Sequence, residues 1–265
     1  MKPTWVVCIK QVPREPVFKR TGDSIQIDRD RTEGIMNPYD RRAIEFALDR
    51  KEKEGGTVVT LSMGPPQAEE ALRETLAFGV DRGVLLSDPA FAGADTLATA
   101  HTLAAGIRKL GDFSLILCGA RTLDSDTAQV GPQIAEILDL PMAAYVDKAS
   151  CRGESLRVER RLDGERERLV LTLPALITVA GQMRAERPLS LGSVEGAFGE
   201  PEIVCWGKQD LDVDPGLIGW EGSATVADEY AIWKHSRSGE IVQAKPGEAA
   251  DRILDVLVKR NLLGG

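Results

Sequence analysis

Residues 115–132 read LILCGARTLDSDTAQVGP and combine an apolar run, a polar loop and the start of a helical pattern. The apolar run is typical of a buried parallel strand, and apolar residues at helical spacing predict a helix over residues 133–138. Three loop residues are candidate N-caps for this helix: Asp124, Asp126 and Thr127. A strand, a turn of small residues and a helix N-terminus together suit an anion, and nucleotides bind at this place in open α/β sheets. An ordinary capped helix without a ligand explains the same residues equally well.

Composition restricts the class of protein. The chain has 265 residues, which suit one large domain or one domain with an extension, and 43% of them are hydrophobic, enough for a full core. It has no apolar run that could span a membrane and no signal-peptide pattern, so we expect a cytoplasmic protein. The formal net charge of −8 argues against nucleic acid as a partner. Four widely spaced cysteines and two histidines predict no metal site and no serine–histidine–acid arrangement.

The β-loop-α pattern recurs at least four times in the first half of the chain, which predicts an α/β fold with a doubly wound, mostly parallel sheet. The predicted strands cover residues 5–9, 57–63, 83–87 and 115–118. Small or polar residues follow these strands at the same edge of the sheet: Lys10, Met63, Gly64, Ser87 and residues 119–127. Several loops that converge on one edge predict a ligand cleft there.

Two predicted helices of this half begin near the same edge. One covers residues 39–54 and follows Asn37, a candidate N-cap. The other follows Asp95, its expected N-cap, which places Thr96 and Thr99 in the first turn. The two hydroxyls are suited to a phosphate, although the pattern alone somewhat favours ordinary N-terminal turn chemistry.

The second half of the chain has a different pattern. Charged and apolar residues alternate on both sides of Asp163-Gly164, which predicts an antiparallel hairpin. Toward the C-terminus, glycines interrupt weakly periodic sequence before a final helix over about residues 247–262. We therefore divide the chain into a nucleotide-binding α/β domain, residues 1–205, and a C-terminal arm, residues 206–265. We expect the arm to pack on a partner subunit rather than on its own domain.

Seven blocks resemble the β subunit of electron-transfer flavoproteins, in order and across nearly the whole chain. They are CIKQVP (8–13), MNPYD (36–40), SMGPPQA (62–68), GADTLAT (93–99), DTAQVGP (126–132), LPA (173–175) and GWEGS (219–223). The resemblance implies a fold of the adenine-nucleotide α-hydrolase-like type and a heterodimer with a larger α subunit that holds the electron-carrying FAD. It also implies a redox partner, either a dehydrogenase or a quinone-reducing protein.

The resemblance also implies a nucleotide in the cleft of the β subunit. By matching motif, its contacts fall on Cys8, Asn37, Met63, Gly64, Thr96, Thr99, Gly119, Arg121, Asp124, Asp126, Thr127, Ala128, Gln129, Val130 and Gly131. In the ordinary branch of the family the nucleotide is structural AMP, and in the electron-bifurcating branch it is a second FAD that accepts hydride from NADH. The sequences of the blocks at 93–99 and 126–132 resemble those of the FAD-binding branch, which favours FAD, with AMP as the alternative.

Two segments depart from the family pattern. Residues 119–123 read GARTL where the family usually has Gly-(Lys/Arg)-Gln-Ala-Ile, so the basic residue moves to Arg121. A displaced guanidinium would change the electrostatics around a flavin, whose reduction leaves negative charge. Residues 184–189 read RAERPL where the family has Leu-Asn-x-Pro-Arg-Tyr, in a segment that helps dock redox partners.

Three interpretations therefore stay open. In the first, the chain is an electron-transfer subunit whose flavin carries the chemistry, and no side chain acts as a general acid or base. In the second, it is a sensor or hydrolase of an adenine nucleotide, with Asp124 and Asp126 as magnesium ligands, although no P-loop motif occurs. In the third, the nucleotide only supports the fold.

Overall fold

The computed structural model describes residues 3–15, 18–21, 24–27, 33–181, 187–199, 203–225, 239 and 241–263. The chain forms two compact units, Met1–Asp228 and Glu229–Gly265. The division that the sequence suggests, into residues 1–205 and 206–265, stays a prediction.

The first half of the chain contains the alternating strands and helices. They are β1 (Thr4–Ile9), β2 (Gln11–Pro13), β3 (Phe18–Thr21), β4 (Ser24–Ile27), β5 (Gly34–Met36), α1 (Pro38–Glu54), β6 (Thr57–Met63), α2 (Glu69–Ala77), β7 (Arg82–Leu86), α3 (Thr96–Leu110), β8 (Leu115–Gly119) and α4 (Val130–Ile137). The second half contains β9 (Met142–Arg152), β10 (Ser155–Leu162), β11 (Glu165–Thr172), β12 (Ala175–Val179), α5 (Leu191–Phe198), β13 (Val204–Trp206) and α6 (Pro246–Lys259).

The main sheet has nine strands in the order β11-β10-β9-β12-β8-β1-β6-β7-β13. From β9 to β13 all neighbouring strands are parallel, whereas β9, β10 and β11 pair antiparallel. This confirms the predicted α/β fold, with its mostly parallel sheet and antiparallel hairpin. The hairpin turns at Asp163 and Gly164, which both have positive φ, as a two-residue turn between twisted strands requires.

Helices cover both faces of the parallel part of the sheet. Alternate residues of β1 point to opposite layers, as the period of a strand dictates. Trp5, Val7 and Ile9 pack with α1 and α2, while Val6 and Cys8 pack with α3 and α4. The sheet therefore has two cores, and only its edges are left for a ligand.

Helix α4 begins at Val130, three residues before its predicted start. The predicted N-caps Asp124, Asp126 and Thr127 are wrong, because the residue at the N-cap position is Gln129, and its side chain makes no capping bond. Asp126 and Ala128 have positive φ, which keeps the backbone out of the helical conformation until Gln129.

Asp95 and Asn37, the other two predicted N-caps, both occupy N-cap positions, but only the side chain of Asp95 caps its helix. The Asp95 carboxylate accepts hydrogen bonds from the backbone N–H groups of Leu97 and Ala98, at 2.9 and 3.0 Å, which confirms it as the N-cap of α3. Asn37 occupies the N-cap position of α1, but its side chain makes no capping bond. The Asn37 side chain has different partners, which belong to the site described below.

Residues 206–225 pack within the first unit. Trp206 and Ile218 are buried in the same core as α3 and α4. The hydroxyl of Ser223 accepts a hydrogen bond from the N–H of Asp95 and donates to the carbonyl of Gly93. This part of the predicted arm therefore contacts the start of α3.

Helix α6 lies in the second unit and carries apolar residues on its surface. Those with large exposed fractions are Ile253, Leu254, Val256 and Val258. Docking of the arm on a partner subunit stays a prediction.

Helix α1 begins directly against the end of β8, and this approach requires glycine at position 119. A Cβ atom built on Gly119 would collide with the Asp40 carboxylate and would lie 2.8 Å from the carbonyl carbon of Tyr39. Backbone and a fully buried carboxylate cannot move aside as a flexible side chain end can.

We expect Gly119→Ala to lower the free energy of unfolding by about 1–3 kcal/mol, because the added methyl group overpacks this contact. Urea denaturation of both proteins measures the change. Gly196→Ala in α5 is the matched control, since a Cβ there meets nothing within 4 Å and alanine is the better helix former. Equal stability of Gly119→Ala and wild type would contradict the assigned contact.

Candidate functional site

The cleft lies where the order of the strands reverses. The chain proceeds from β1 through β6 to β7 on one side, and then places β8 on the other side of β1. Loops that leave neighbouring strands in opposite directions open a crevice at the carboxyl edge, the usual ligand position in such sheets. Beneath it, Cys8 of β1 and Cys118 of β8 are paired in register, and both are buried. Hydrogen bonding to Cys8, together with burial, raises the pKa of the Cys118 thiol, so this thiol stays protonated.

Asp40, in the first turn of α1, joins the walls of the crevice. Its Oδ2 accepts a hydrogen bond from the N–H of Lys10 at 2.8 Å. Its Oδ1 accepts one from the N–H of Gly119 at 3.1 Å and one from Nδ2 of Asn37 at 2.9 Å. The carboxylate thus holds the ends of β1 and β8 against the start of α1.

Burial raises the pKa of Asp40 to about 7, even though the hydrogen bonds from Asn37, Lys10 and Gly119 and the Lys10 charge all lower it. The sequence pattern does not distinguish Asp40 as a site residue, although it belongs to the MNPYD block. An acidic residue in the first turn of a helix is common, and its remote donors are not visible in the local pattern.

Asn37 is fully buried between the start of α1 and the loop after β8. Its Nδ2 donates to Asp40 Oδ1 and to the carbonyl oxygen of Arg121, both at 2.9 Å. Its Oδ1 has no hydrogen-bond partner among the described residues. A buried acceptor without a donor is costly, so this atom is suited to a donor from a ligand.

The loop after β8 is tied to the loop after β1. Lys10 Nζ lies 2.6 Å from Asp124 Oδ2. Burial by itself would raise the pKa of Asp124, but the hydrogen bond and charge of Lys10 outweigh it, and the net shift is downward. Asp124 is therefore ionised and directed at Lys10, which positions the loop.

The second half of this loop presents backbone donors. The N–H groups of residues 127–131 have no acceptor among the described residues. Asp126 and Ala128, with φ of 51° and 56°, turn the backbone so that it passes from loop to helix here. Together with the positive end of the α4 dipole, these free donors are suited to a phosphate.

Gly131 lets α4 start close to the sheet. A Cβ built on Gly131 would lie 2.7 Å from Cγ2 of Thr178 in β12 and 3.6 Å from Sγ of Cys118. The first turn of α4 therefore rests directly on the floor of the crevice, where a larger residue would push it away.

The start of α3 reaches the same loop. Thr96 Oγ1 donates to Oε1 of Gln129 at 3.1 Å, so the first turns of α3 and α4 are adjacent. Thr99 lies one turn further along α3, and its N–H donates to the carbonyl of Asp95. The Asp95 carboxylate also accepts bonds from the N–H and the hydroxyl of Thr225, which brings residues 219–225 to the rim.

Arg121 is at the exposed side of the crevice. Its guanidinium lies over the Tyr39 ring at 5.1 Å, and its ion pair with Asp126 is long, at 3.5 Å. An exposed pair of this length contributes little, so the Arg121 charge is available to an anionic ligand.

The structure thus collects most of the predicted site residues around one crevice. Those that meet through contacts or chain continuity at β1, α1, β8, α3 and α4 are Cys8, Asn37, Thr96, Gly119, Arg121, Asp124, Asp126, Thr127, Ala128, Gln129, Val130 and Gly131. Met63 ends β6 and Gly64 follows it, at the same edge one strand away, where the N–H of Gly64 donates to the carbonyl of Leu86. Thr99 is part of the first turn of α3.

Asp124 and Asp126 do not form a cation site in this arrangement. Asp124 is paired with Lys10, and Asp126 faces Arg121. Across the described ranges, no three His, Cys, Asp or Glu side chains are grouped as metal ligands. The same part of the chain contains no helix with the length and apolar character needed to cross a membrane.

The raised pKa of Asp40 predicts a pH-dependent stability. Between the ordinary carboxyl pKa near 4 and about 7, the folded state binds the Asp40 proton more tightly than the unfolded state does. This contribution to stability is therefore fully present below pH 4 and is lost as the pH rises through 7. Relative to Asp40→Asn, which cannot titrate, the wild type should lose about 1.4 kcal/mol per pH unit in this window. Urea denaturation of both proteins at several pH values tests this, and a pH-independent difference would contradict it.

Comparison with known proteins agrees with this geometry. The model of the electron transfer flavoprotein domain matches residues 24–195. The chain is 38% identical over 258 residues to the electron transfer flavoprotein subunit beta of Clostridium acetobutylicum, covering 97% of this chain and 99% of that protein. It is 41% identical over 224 residues to subunit CarD of the caffeyl-CoA reductase-Etf complex of Acetobacterium woodii, covering 83% and 84%.

A third relative is also similar over most of its length. Protein FixA of Azorhizobium caulinodans is 38% identical over 266 residues, covering 96% of this chain and 94% of that protein. These matches confirm the resemblance that the seven sequence blocks carry. The chain belongs to the electron transfer flavoprotein family, as one of its β subunits.

Proposed function

We propose that this β subunit binds FAD in the crevice between β1 and β8. Paired with an α subunit, it passes electrons between a dehydrogenase or NADH and the FAD of that α subunit. Electron bifurcation requires a second flavin in the heterodimer. If this chain binds FAD, the heterodimer meets that requirement, and we propose bifurcation as its activity.

The observation that carries the proposal is the adjacency of two helix starts at the crevice. The N–H groups of residues 127–131, which have no acceptor within the described part of the chain, offer donors to one phosphate. Thr96, held 3.1 Å from Gln129, brings the hydroxyls of the first α3 turn to the same place. Two groups of donors suit the two phosphates of a dinucleotide, whereas AMP has only one.

Each part of such a ligand has a suitable residue in the crevice. Asn37 Oδ1 is a buried acceptor that no described residue donates to, and it fits an N–H of the adenine. Arg121, at the rim, is placed to favour negative charge on a flavin. A bound flavin supplies the electron transfer itself, and the side chains hold it and set its electrostatic environment.

The names of two relatives agree with a redox role of this kind. CarD is a subunit of a complex of caffeyl-CoA reductase and Etf, and the protein of Clostridium acetobutylicum is itself named as the β subunit of such a flavoprotein. By extension, we propose an α subunit and a dehydrogenase or reductase as the partners of this chain.

AMP in the crevice is the alternative, and Asp95 favours it. Its carboxylate lies at the start of α3 and already accepts bonds from Leu97, Ala98 and Thr225. This charge opposes a second phosphate beside Thr96. AMP would use Asn37 and the loop at 127–131 and would leave the first turn of α3 free.

The cofactor content of the heterodimer decides between the two. We expect two FAD molecules per heterodimer when the chain is co-expressed with its α subunit, purified, denatured and analysed by chromatography of the released nucleotides. A ratio of one FAD to one AMP would contradict FAD in the crevice and would leave electron transfer to the α-subunit flavin alone.

Replacement of Arg121 tests its role at the flavin. Arg121→Gln should lower the reduction potential of the flavin bound to this chain, because loss of a nearby positive charge destabilises the reduced, more negatively charged form. Spectroelectrochemical titration measures the shift. Arg157→Gln, on the exposed side of β10, changes the net charge equally and should leave the potential unaltered. Equal shifts of the reduction potential in both variants would contradict a specific role of Arg121 at the flavin.

A further inference from the structure

Two cysteines lie side by side beneath the crevice. Cys8 of β1 and Cys118 of β8 are paired in register on neighbouring parallel strands. Both side chains face the layer of α3 and α4, and a hydrogen bond joins their thiols. Neighbouring strands are separated by about 4.8 Å, and the two Cα atoms of a disulfide lie about 4.4–6.8 Å apart. The spacing of the two strands is therefore compatible with a disulfide between these residues.

The crevice is the nearest route from solvent to this thiol pair. Each cysteine is the last residue of its strand that faces the layer of α3 and α4. One step deeper in the same layer, Val6 and Ile116 have no exposed surface, whereas each cysteine keeps 6%. From the side of α4, a Cβ built on Gly131 would lie 3.6 Å from Sγ of Cys118, which leaves no space there. A small solute therefore reaches the thiols through the crevice, and a ligand in the crevice closes that path.

We propose that Cys8 and Cys118 form a redox-sensitive modification site, in which a small hydroperoxide converts the two thiols into a disulfide while the crevice is empty. A ligand that fills the crevice prevents the reaction, because it blocks the path of the peroxide. This protection rests on the proposed nucleotide site, whereas the disulfide itself does not. Redox-sensing cysteines often lie next to a second cysteine that resolves the first oxidation product, which is the arrangement of this pair.

The oxidation proceeds in two balanced steps. The hydrogen bond to Cys8 and burial raise the pKa of Cys118, so the Cys118 thiol stays protonated and Cys8 reacts first. The Cys8 thiolate attacks one oxygen of hydrogen peroxide, the O–O bond breaks, and hydroxide leaves as a sulfenic acid forms. The Cys118 sulfur then attacks the Cys8 sulfur, the S–O bond breaks, and the oxygen leaves as water with the Cys118 proton. The two cysteines lose two electrons, and hydrogen peroxide gains them.

The other two cysteines of the chain serve as internal references. Cys205 is exposed on β13 and lies opposite Leu85, and Cys151 is partly buried on β9 and lies opposite Leu156. Burial raises the pKa of Cys151 to about 11, which slows its oxidation. Because the residue opposite each of them is a leucine, no thiol on the paired strand resolves their sulfenic acids. Oxidation of these two cysteines therefore proceeds to sulfinic acid, which dithiothreitol does not reverse.

The test uses the full-length chain, co-expressed with its α subunit and depleted of nucleotide. After treatment with hydrogen peroxide the free thiols are alkylated, and trypsin releases residues 1–10 and 110–121, which contain Cys8 and Cys118. Mass spectrometry detects the two peptides as one linked species, which dithiothreitol separates. We expect this species in the wild type. It should be absent in Cys118→Ala, where dimedone should instead label Cys8 as the sulfenic acid.

Saturating AMP tests the protection by a ligand. With AMP at about 100 times its Kd, only about 1% of the crevices are empty, so the linked species should form at least about tenfold more slowly. Isothermal titration calorimetry on the same sample measures whether AMP is bound. Oxidation of Cys205, on β13 at the far edge of the sheet, should proceed at the same rate with and without AMP.

The wild type alone decides the outcome, so the test holds even where a variant does not fold. If Cys8 and Cys118 stay reduced in the nucleotide-free protein while Cys205 is oxidised, the modification site is overturned. Equal rates of disulfide formation with and without bound AMP would overturn the protection by a ligand. If AMP does not bind at all, the proposed nucleotide site is wrong, and formation of the linked species still supports the thiol pair.

Discussion

The carboxylate of Asp40 accepts hydrogen bonds from Lys10, Asn37 and Gly119. These residues lie after β1, before α1 and at the end of β8, the three places where the walls of the crevice meet. Burial of a carboxylate is unfavourable, and here three donors offset part of that cost. In return, the ends of β1 and β8 and the start of α1 are fixed relative to one another. Gly119 is required at the same point, because any side chain there would meet Asp40.

The rest of the site follows from this junction and from the order of the strands. Reversal of the strand order between β1 and β8 opens the crevice. The loop after β8 lines it with backbone donors that find no acceptor among the residues the structure describes. The ion pair of Lys10 with Asp124 and the bond of Thr96 with Gln129 hold that loop at its two ends.

Much of the architecture could be predicted from local pattern. Apolar periodicity predicted the parallel strands, Asp163-Gly164 predicted the hairpin, and Asp95 was predicted as the cap of α3, all of which the structure confirms. The start of α4 was not predictable, because it depends on positive φ at Asp126 and Ala128. Neither residue is a glycine, so the sequence contains no signal for this backbone conformation. Nor were the partners of Asp40, since Lys10 and Gly119 lie 30 and 79 residues away along the chain.

The central claim is that the backbone donors of residues 127–131 bind the phosphate of an adenine nucleotide. Deuterium exchange of these amides, followed by mass spectrometry on the full-length protein with and without saturating AMP, tests it most directly. AMP contains the part that both candidate ligands share, so the test is independent of the choice between them. The account predicts that exchange at residues 127–131 slows on the order of tenfold or more when AMP is bound. Unchanged exchange there, with AMP protecting amides elsewhere in the chain, would contradict it.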